Sequence, residues 1–175
     1  MSVLGVRPTL FVAVCLILLT AACDRIRPRR NGDLPPIDSV RAVYQRNGLP
    51  GQLTFAGRVL EYRAVQDPEQ LRRGGSLWAR VGPYIYVFTP ATREVFDTWS
   101  GVAAVRAITL TPNDREIARA TLGRDELSDI LWRRSLNLLG HALQEGTARP
   151  RLLEQLVSWG EEHTEYRYDP EYVPR

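Results

Sequence analysis

Hydrophobic positions follow three different patterns along the chain. Residues 10–19 form an unbroken apolar run. Between residues 52 and 121, Val, Leu, Phe and Tyr alternate with polar residues, which is the two-residue period of half-buried strands. From residue 125 onward, apolar residues recur at the three- and four-residue spacing of amphipathic helices. The sequence therefore predicts an apolar N-terminal segment, a sheet region and a helical C-terminal third.

The sheet region predicts an antiparallel β-meander of about five strands. Gly82-Pro83 reads as a break between two short strands, and residues 90–93 read as a hairpin loop. The predicted strands cover residues 53–65, 77–81, 84–89, 94–99 and 102–111, with a polar connection over residues 67–75. Residues 112–122 fit either a strand or a helix that begins after Pro112. Alternation of polar and apolar residues favours the strand.

Three helices are predicted around this sheet. The first is short, covers residues 37–47 and has Asp38 as its cap. The second covers residues 125–144, and its narrow polar sector predicts a central helix packed on two sides. The third runs from Pro150 to about residue 166, followed by an irregular tail over residues 167–175. The predicted fold class is α+β: an antiparallel meander, two packed C-terminal helices and a short N-terminal helix, in one domain over residues 37–175.

The apolar run near the N-terminus predicts a secretory signal over residues 1–22. Arg7 precedes the run, and the small residues Thr20, Ala21 and Ala22 follow it. The run is about half of the ~20 apolar residues that a membrane-spanning helix needs. A buried core helix is the alternative interpretation of this run. The position of the run before a polar, arginine-rich stretch argues against that interpretation.

Leu19-Thr20-Ala21-Ala22-Cys23 resembles the lipobox of bacterial lipoproteins, with Thr20 where Leu is usual. The resemblance implies that Cys23 becomes the first mature residue and carries acyl chains of the palmitate type, which attach it to the membrane. Ordinary secretion with a free Cys23 is the alternative. Asp24 after the cysteine implies retention in the inner membrane where enteric-type sorting applies. The expected location is the cell membrane, facing the periplasm or the cell exterior.

Charge is concentrated beside this cysteine. Residues 23–36 are expected to form a lipidated, basic, proline-containing tether, with arginines at positions 25, 27, 29 and 30. From residue 37 onward, 18 arginines balance 18 acidic residues, so no nucleic-acid partner is expected. No cysteine follows Cys23, which excludes disulfides and thiolate chemistry in the folded part. No cofactor is predicted.

Two histidines are the candidates for chemistry. His141 and Glu145 lie four residues apart on a predicted helix, so both can face one ligand. His163 lies on the inner face of the next helix, and packing toward His141 would complete a metal site. The alternatives are an ordinary helix edge for the pair and a hydrogen-bonded core position for His163.

Five acidic residues between positions 161 and 171 are interleaved with Tyr166, Tyr168 and Tyr172. Aromatic side chains among charges can form a binding surface for a partner protein. The alternative is a solvated helix end with a tail that lies back on the sheet. The sequence thus predicts a lipid-anchored envelope protein that binds or supports another envelope protein. A metal-dependent or hydrolytic enzyme centred on His141, Glu145 and His163, or a small-ligand carrier using the sheet, is the alternative.

Overall fold

The structure of the chain is a computed structural model that describes residues 32–146 and 148–174. The described residues belong to one compact unit, residues 31–175. The predicted signal segment, Cys23, Asp24 and the tether up to residue 31 lie outside the described residues. Of the predicted tether, residues 32–36 are described; Pro35 is buried, and the backbone of Asp33 lies against Gly101. These residues therefore pack on the folded unit.

Five strands and the helices around them make up the described chain. In chain order the elements are α1 (Ile37–Arg46), β1 (Gln52–Ala56), β2 (Val59–Val65), α2 (Pro68–Val87), α3 (Pro90–Thr98), β3 (Ala104–Leu110), β4 (Glu116–Gly123), α4 (Asp129–Glu145), α5 (Pro150–His163) and β5 (Glu165–Tyr168). A mixed α/β fold with a five-stranded sheet and two packed C-terminal helices is confirmed.

The sheet is mixed, so the prediction of a purely antiparallel meander is wrong. The strand order is β1-β2-β3-β4-β5. Strands β2 and β3 run parallel, whereas the other neighbouring pairs are antiparallel. A parallel pair needs a long crossover connection. Helices α2 and α3 provide it, in the part of the sequence where further strands were predicted.

Both crossover helices begin with a capping side chain followed by proline. The Asp67 side chain accepts a hydrogen bond from the Glu69 amide at 2.8 Å, and Thr89 accepts one from the Thr92 amide at 3.1 Å. Residues 67–75, predicted as a connection, thus open α2, and residues 90–93, predicted as a hairpin loop, open α3. The predicted strands over 77–81, 84–89 and 94–99 fall in these two helices, apart from residues 88, 89 and 99, which lie just outside the helix ends. Helix α2 kinks at Gly75, whose φ of 56° glycine adopts without strain.

Helix α2, rather than α4, is the central helix. Its second half packs against β3 and β4 on one side and α5 on the other. Val81, Tyr84 and Val87 are fully buried there. On α4, Ile130 is 69% exposed and Leu143 is 58% exposed, so the prediction that this helix is packed on two sides is wrong. Apolar side chains on the flanks of α4 remain at the surface. The helix begins at Asp129 rather than at the predicted residue 125.

Several boundaries also differ from the sequence predictions. Strand β4 confirms the preferred strand over residues 116–121. Helix α1 begins after Pro36, and Asp38 makes no cap hydrogen bond but pairs with Arg41. Helix α5 ends at His163, and residues 165–168 of the predicted helix end and irregular tail form β5. Backbone pairing with β4 gives this segment a strand conformation that its own sequence does not specify.

The two faces of the sheet have different surroundings. One face carries Leu60, Tyr62, Val105, Ala107 and Leu122, which belong to the core beneath the helices. The opposite face, here called the open face, carries the intervening side chains of β1 to β5. Apart from Ile117, which lies at the register irregularity between β3 and β4, none of these intervening side chains belongs to the helix-covered core of the described residues, although Ile108 and Leu110 on this face are buried. Charged residues of the sheet are concentrated on the open face.

Candidate functional site

Strand β5 places the predicted partner-binding tyrosines at one edge of the sheet. It pairs antiparallel with β4, with Tyr168 opposite Ala118 and Tyr166 opposite Ala120. Both tyrosines therefore lie on the helix side of the sheet, since alternate residues of a strand share a face. Arg167 between them lies on the open face.

Tyr168 belongs to a chain of hydrogen bonds inside the protein. Its hydroxyl donates to Glu161 Oε1 at 2.9 Å and lies 2.7 Å from the Tyr84 hydroxyl. Arg80 Nη2 donates to the same Glu161 oxygen at 2.7 Å. Burial, reinforced by the neighbouring hydroxyl and carboxylate, raises the pKa of Tyr168 well above its usual range, and burial does the same for the pKa of Tyr84. Both phenols thus stay protonated, and the network joins β5 to α2 and α5.

Tyr172 is held by the residues that fold the tail back. Its ring centre lies 5.2 Å from the guanidinium carbon of Arg115. Arg115 also pairs with Asp169 at 3.2 Å and with Glu171, and its hydrogen bonds to these carboxylates raise its pKa. Tyr172 packs beside Ile117 in a small second apolar cluster. The tail after β5 is therefore attached to the fold.

The acidic surface predicted at this end of the chain is largely neutralised. Glu161, Asp169 and Glu171 are paired with arginines, as described above. Within the described ranges, Glu162 and Glu165 form no ion pair. Tyr166 is the exposed member of the three tyrosines, at 46%, and its ring centre lies 5.1 Å from that of Tyr168. The part of the predicted surface still open to a partner is thus Tyr166 with its neighbours on β5.

The candidate metal residues lie at opposite ends of the α4–α5 hairpin. Trp159 donates to Ser135 at 2.8 Å and joins the middles of the two helices. His163 Nδ1 lies 3.9 Å from Glu126, which precedes α4, whereas His141 is near the end of α4. The helices are antiparallel, so a helix rise of ~1.5 Å per residue separates the histidines by more than 10 Å.

Each candidate has its own surroundings. His141 is exposed, Glu145 pairs with Arg149 at 2.8 Å, and the ring centre of His163 lies 4.1 Å from that of Trp159. Residues 32–146 and 148–174 contain no group of three His, Cys, Asp or Glu side chains placed to hold a metal ion. The structure keeps His141 and Glu145 on one helix but does not bring His163 to them.

A row of arginines on the open face was missed by sequence reasoning. Arg63 of β2, Ile108 of β3, Arg119 of β4 and Arg167 of β5 are successive partners across the sheet. Arg119 pairs with Glu116 at 2.8 Å. These residues come from distant parts of the sequence, and only the strand register aligns them. The alternation along each strand was the sole signal, and it did not reveal which strands are neighbours.

The next row across the open face has mixed charge. It contains Glu61, Arg106, Thr121 and Glu165 as successive partners. Arg106 donates to Glu61 at 2.9 Å and to the Thr121 hydroxyl at 3.0 Å, so this row is internally bonded. The arginine row lacks such bonds at its two ends, because Arg63 and Arg167 form no ion pair with any described residue.

A groove lies between α2 and the start of α5. Its volume is about 580 Å³, and its apolar walls include Leu77, Trp78 and Leu153, with Arg73 and Gln70 at its polar side. Gly74 allows the Trp78 ring to lie across the helix backbone, because a Cβ there would stand 1.2 Å from the ring. A groove of this size can hold a small ligand.

The chain matches no protein-family model, no curated protein and no solved structure. Among the helices formed by the described residues, none combines the length and apolarity needed to cross a membrane.

Proposed function

We propose that this chain is a lipid-anchored envelope protein whose folded domain binds or supports another envelope protein. The observation that carries the binding part of the proposal is the surface left free by the fold. The open-face side chains of β2 and β5 lie outside the helix-covered core of the described residues, the end of α5 borders this face at Glu162 and His163, and Tyr166 is exposed on the edge strand β5. Exposed aromatic and arginine side chains are enriched in protein interfaces.

Support for the anchoring part comes from the lipobox-like segment ending at Cys23 and the basic stretch after it. One acyl chain of myristoyl size binds a membrane only marginally, whereas two or three chains on one residue would bind stably. The segment from Cys23 to Asp33 reaches at most about 35 Å when extended. The domain would therefore stay close to the membrane that holds the cysteine.

Anchoring is tested by replacing the cysteine. Cys23→Ala should remove incorporation of labelled palmitate and leave an uncleaved or soluble precursor, because the acyl acceptor is lost. Cys15→Ala, within the apolar run, is the matched control and should keep both labelling and cleavage. Continued labelling of the Cys23→Ala protein would show that the lipobox interpretation is wrong.

Partner binding is tested on the native anchored protein by crosslinking and affinity recovery from membranes. Tyr166→Ala should reduce recovery of a specific partner, because the variant loses an exposed aromatic contact without touching the core. Ile130→Ala, on the exposed side of α4, is the control and should leave recovery unchanged. Recovery should also fall as salt rises if charges contribute, since exposed charges are screened beyond ~8–10 Å. Equal partner recovery with the native protein, Tyr166→Ala and Ile130→Ala would show that Tyr166 is not part of the contact.

A small-ligand carrier is the second candidate function, and the groove between α2 and α5 is the observation that favours it. Its apolar walls and volume of about 580 Å³ suit a compact apolar ligand. Binding of a ligand should shift the fluorescence of Trp78, and Gly74→Ala should abolish the shift because the Trp78 ring must move. The enzyme alternative would need His141 and His163 in one site, and the hairpin separates them.

A further inference from the structure

The arginine row of the open face contains two arginines, Arg63 and Arg167, that form no ion pair with any described residue. Arg119 and Arg167 are direct partners on antiparallel strands. Like charges directly opposite each other destabilise a strand pair. Glu116 offsets the charge of Arg119, whereas Arg63 and Arg167 have no carboxylate within ion-pair distance among the described residues. Two arginines thus remain available to an anion from outside.

The charge of the whole open face distinguishes the kinds of anion that can bind. Four arginines, at positions 63, 106, 119 and 167, stand against three glutamates, at positions 61, 116 and 165, and against Asp169, which borders the face beside Arg119 and Arg167, so the net charge is zero. A membrane surface attracts a protein by ~1 kcal/mol per basic residue, so a face with no net charge gives little membrane binding. An anion that contacts Arg63 and Arg167 avoids the bonded row of Glu61 and Arg106 and meets Glu116 where it passes Arg119.

The dimensions of the row fit a short extended peptide. Neighbouring strands lie ~4.8 Å apart, so the row from Arg63 to Arg167 spans about 14 Å. An extended chain rises ~3.4 Å per residue, so about five residues cover that length. On one side the Glu61 and Glu165 row would repel acidic side chains. On the other side the neighbouring row contains Val65, which is 55% exposed and offers an apolar contact, Leu110, and Glu116, whose charge Arg119 offsets.

We propose that the open face binds an acidic segment of a partner protein, which lies extended across β2 to β5 along Arg63, Arg119 and Arg167. The segment has two or three acidic side chains on the arginine side and an apolar residue toward Val65. This proposal deepens the proposed function and rests on it for the identity of the partner as an envelope protein. The binding itself depends only on the folded domain.

The experiment titrates a fluorescein-labelled peptide of alternating Glu and Thr, seven residues long, with the full chain purified in nonionic detergent. Fluorescence anisotropy should report saturable binding that weakens as salt rises. The double variant Arg63→Gln with Arg167→Gln should weaken binding about tenfold, since each exposed ion pair contributes ~0.2–1 kcal/mol. Glutamine retains much of the side-chain length that covers the sheet.

Matched controls separate this site from general attraction. Arg133→Gln with Arg151→Gln removes two exposed helix arginines that have no ion pair in the described chain, and it should leave peptide affinity unchanged. A peptide with Gln in place of Glu should not bind. Equal loss in the two double variants, or unchanged affinity after loss of Arg63 and Arg167, would overturn the proposal. The proposal would also be overturned if the chain bound vesicles of equal parts phosphatidylcholine and phosphatidylglycerol through these arginines but did not bind the peptide.

Failure of this proposal and failure of the proposed function give different results. Without an acidic-segment site, the purified chain fails to bind the peptide even though Cys23 is acylated in cells and a partner is recovered. Without the envelope function, the purified chain binds the peptide through Arg63 and Arg167, while acylation and partner recovery are both missing.

Discussion

Gly160 and Gly140 should respond in opposite directions to substitution by alanine. Gly160 lies on α5, where a Cβ would stand 2.3 Å from two ring carbons of Tyr84. Gly140 lies on α4, and nothing is within 4 Å of its Cβ position. Alanine favours a helix over glycine by ~1 kcal/mol at both sites, so packing decides the difference. We expect Gly140→Ala to stabilise the protein and Gly160→Ala to destabilise it.

The expected loss of stability in Gly160→Ala follows from the contacts of Tyr84. Non-bonded carbon atoms normally lie ~3.5–4.0 Å apart, so α5 or the Tyr84 ring must shift by more than 1 Å. Overpacking of this kind costs ~1–3 kcal/mol. Moving the ring also weakens its 2.7 Å hydroxyl contact with Tyr168, worth ~1 kcal/mol. After the gain in helix propensity, Gly160→Ala should lower the free energy of unfolding by ~1–3 kcal/mol, and Gly140→Ala should raise it by ~0.5–1 kcal/mol.

Urea unfolding followed by tryptophan fluorescence measures both variants against the native protein. If the slope of the unfolding free energy against urea concentration is the same in the variants and the native protein, a shifted midpoint reports a change in stability alone. The free energies of unfolding of the two variants should differ by ~1.5–4 kcal/mol. Stabilisation of similar size in both would refute the close approach of α5 to α2 at Tyr84.

Three further predictions concern the core and its hydrogen bonds. Ser135→Ala should lower the free energy of unfolding by ~1–3 kcal/mol in urea titrations, because the buried Trp159 indole loses its acceptor. Trp132→Ala should cost ~3–5 kcal/mol in the same assay, because it leaves a cavity, whereas Ile130→Ala should change stability by less than ~0.5 kcal/mol. Burial raises the pKa of Tyr62 from 10.0 to about 12, so the unfolded state loses its proton first. Stability should therefore fall as pH rises from 10 to 12, and Tyr62→Phe should reduce that fall in pH-dependent unfolding.

The crossover helices show where sequence patterns were insufficient. Residues 77–89 are rich in aromatic and β-branched side chains with Gly82-Pro83 in the middle, which is typical of two strands and a turn. Residues 77–87 of this stretch form the second half of α2, because that half is buried between the sheet and α5. Gly82 allows close packing there, since a Cβ would stand 2.0 Å from Gln66 Nε2. Asp67-Pro68 and Thr89-Pro90 were the local signals of helix starts, and the apolar pattern outweighed them.

Elements with a strong local pattern were predictable, whereas contacts between distant segments were not. Helices α4 and α5 and strands β3 and β4 follow from periodicity and breakers within each segment. The exposure of α4 did not follow, because Ile130 and Leu143 look like core residues until the position of α2 is known. Likewise, the burial of Tyr168 and the exposure of Tyr166 depend on β5 pairing with β4. The arginine row depends on the register of three strand pairs.

The pairing of β5 with β4 has a consequence for how the protein is made. Strand β5 follows α4 and α5 in sequence, so a chain synthesised from its N-terminus forms β1 to β4 before their last neighbour exists. Long-range strand pairs form slowly, because the intervening loop must close first. During that interval β4 is an unprotected edge that can recruit a strand from another unfinished chain. A nonsense mutation that ends translation before residue 165 should therefore yield inclusion bodies, and a chaperone that shields β4 should rescue folding of the complete chain.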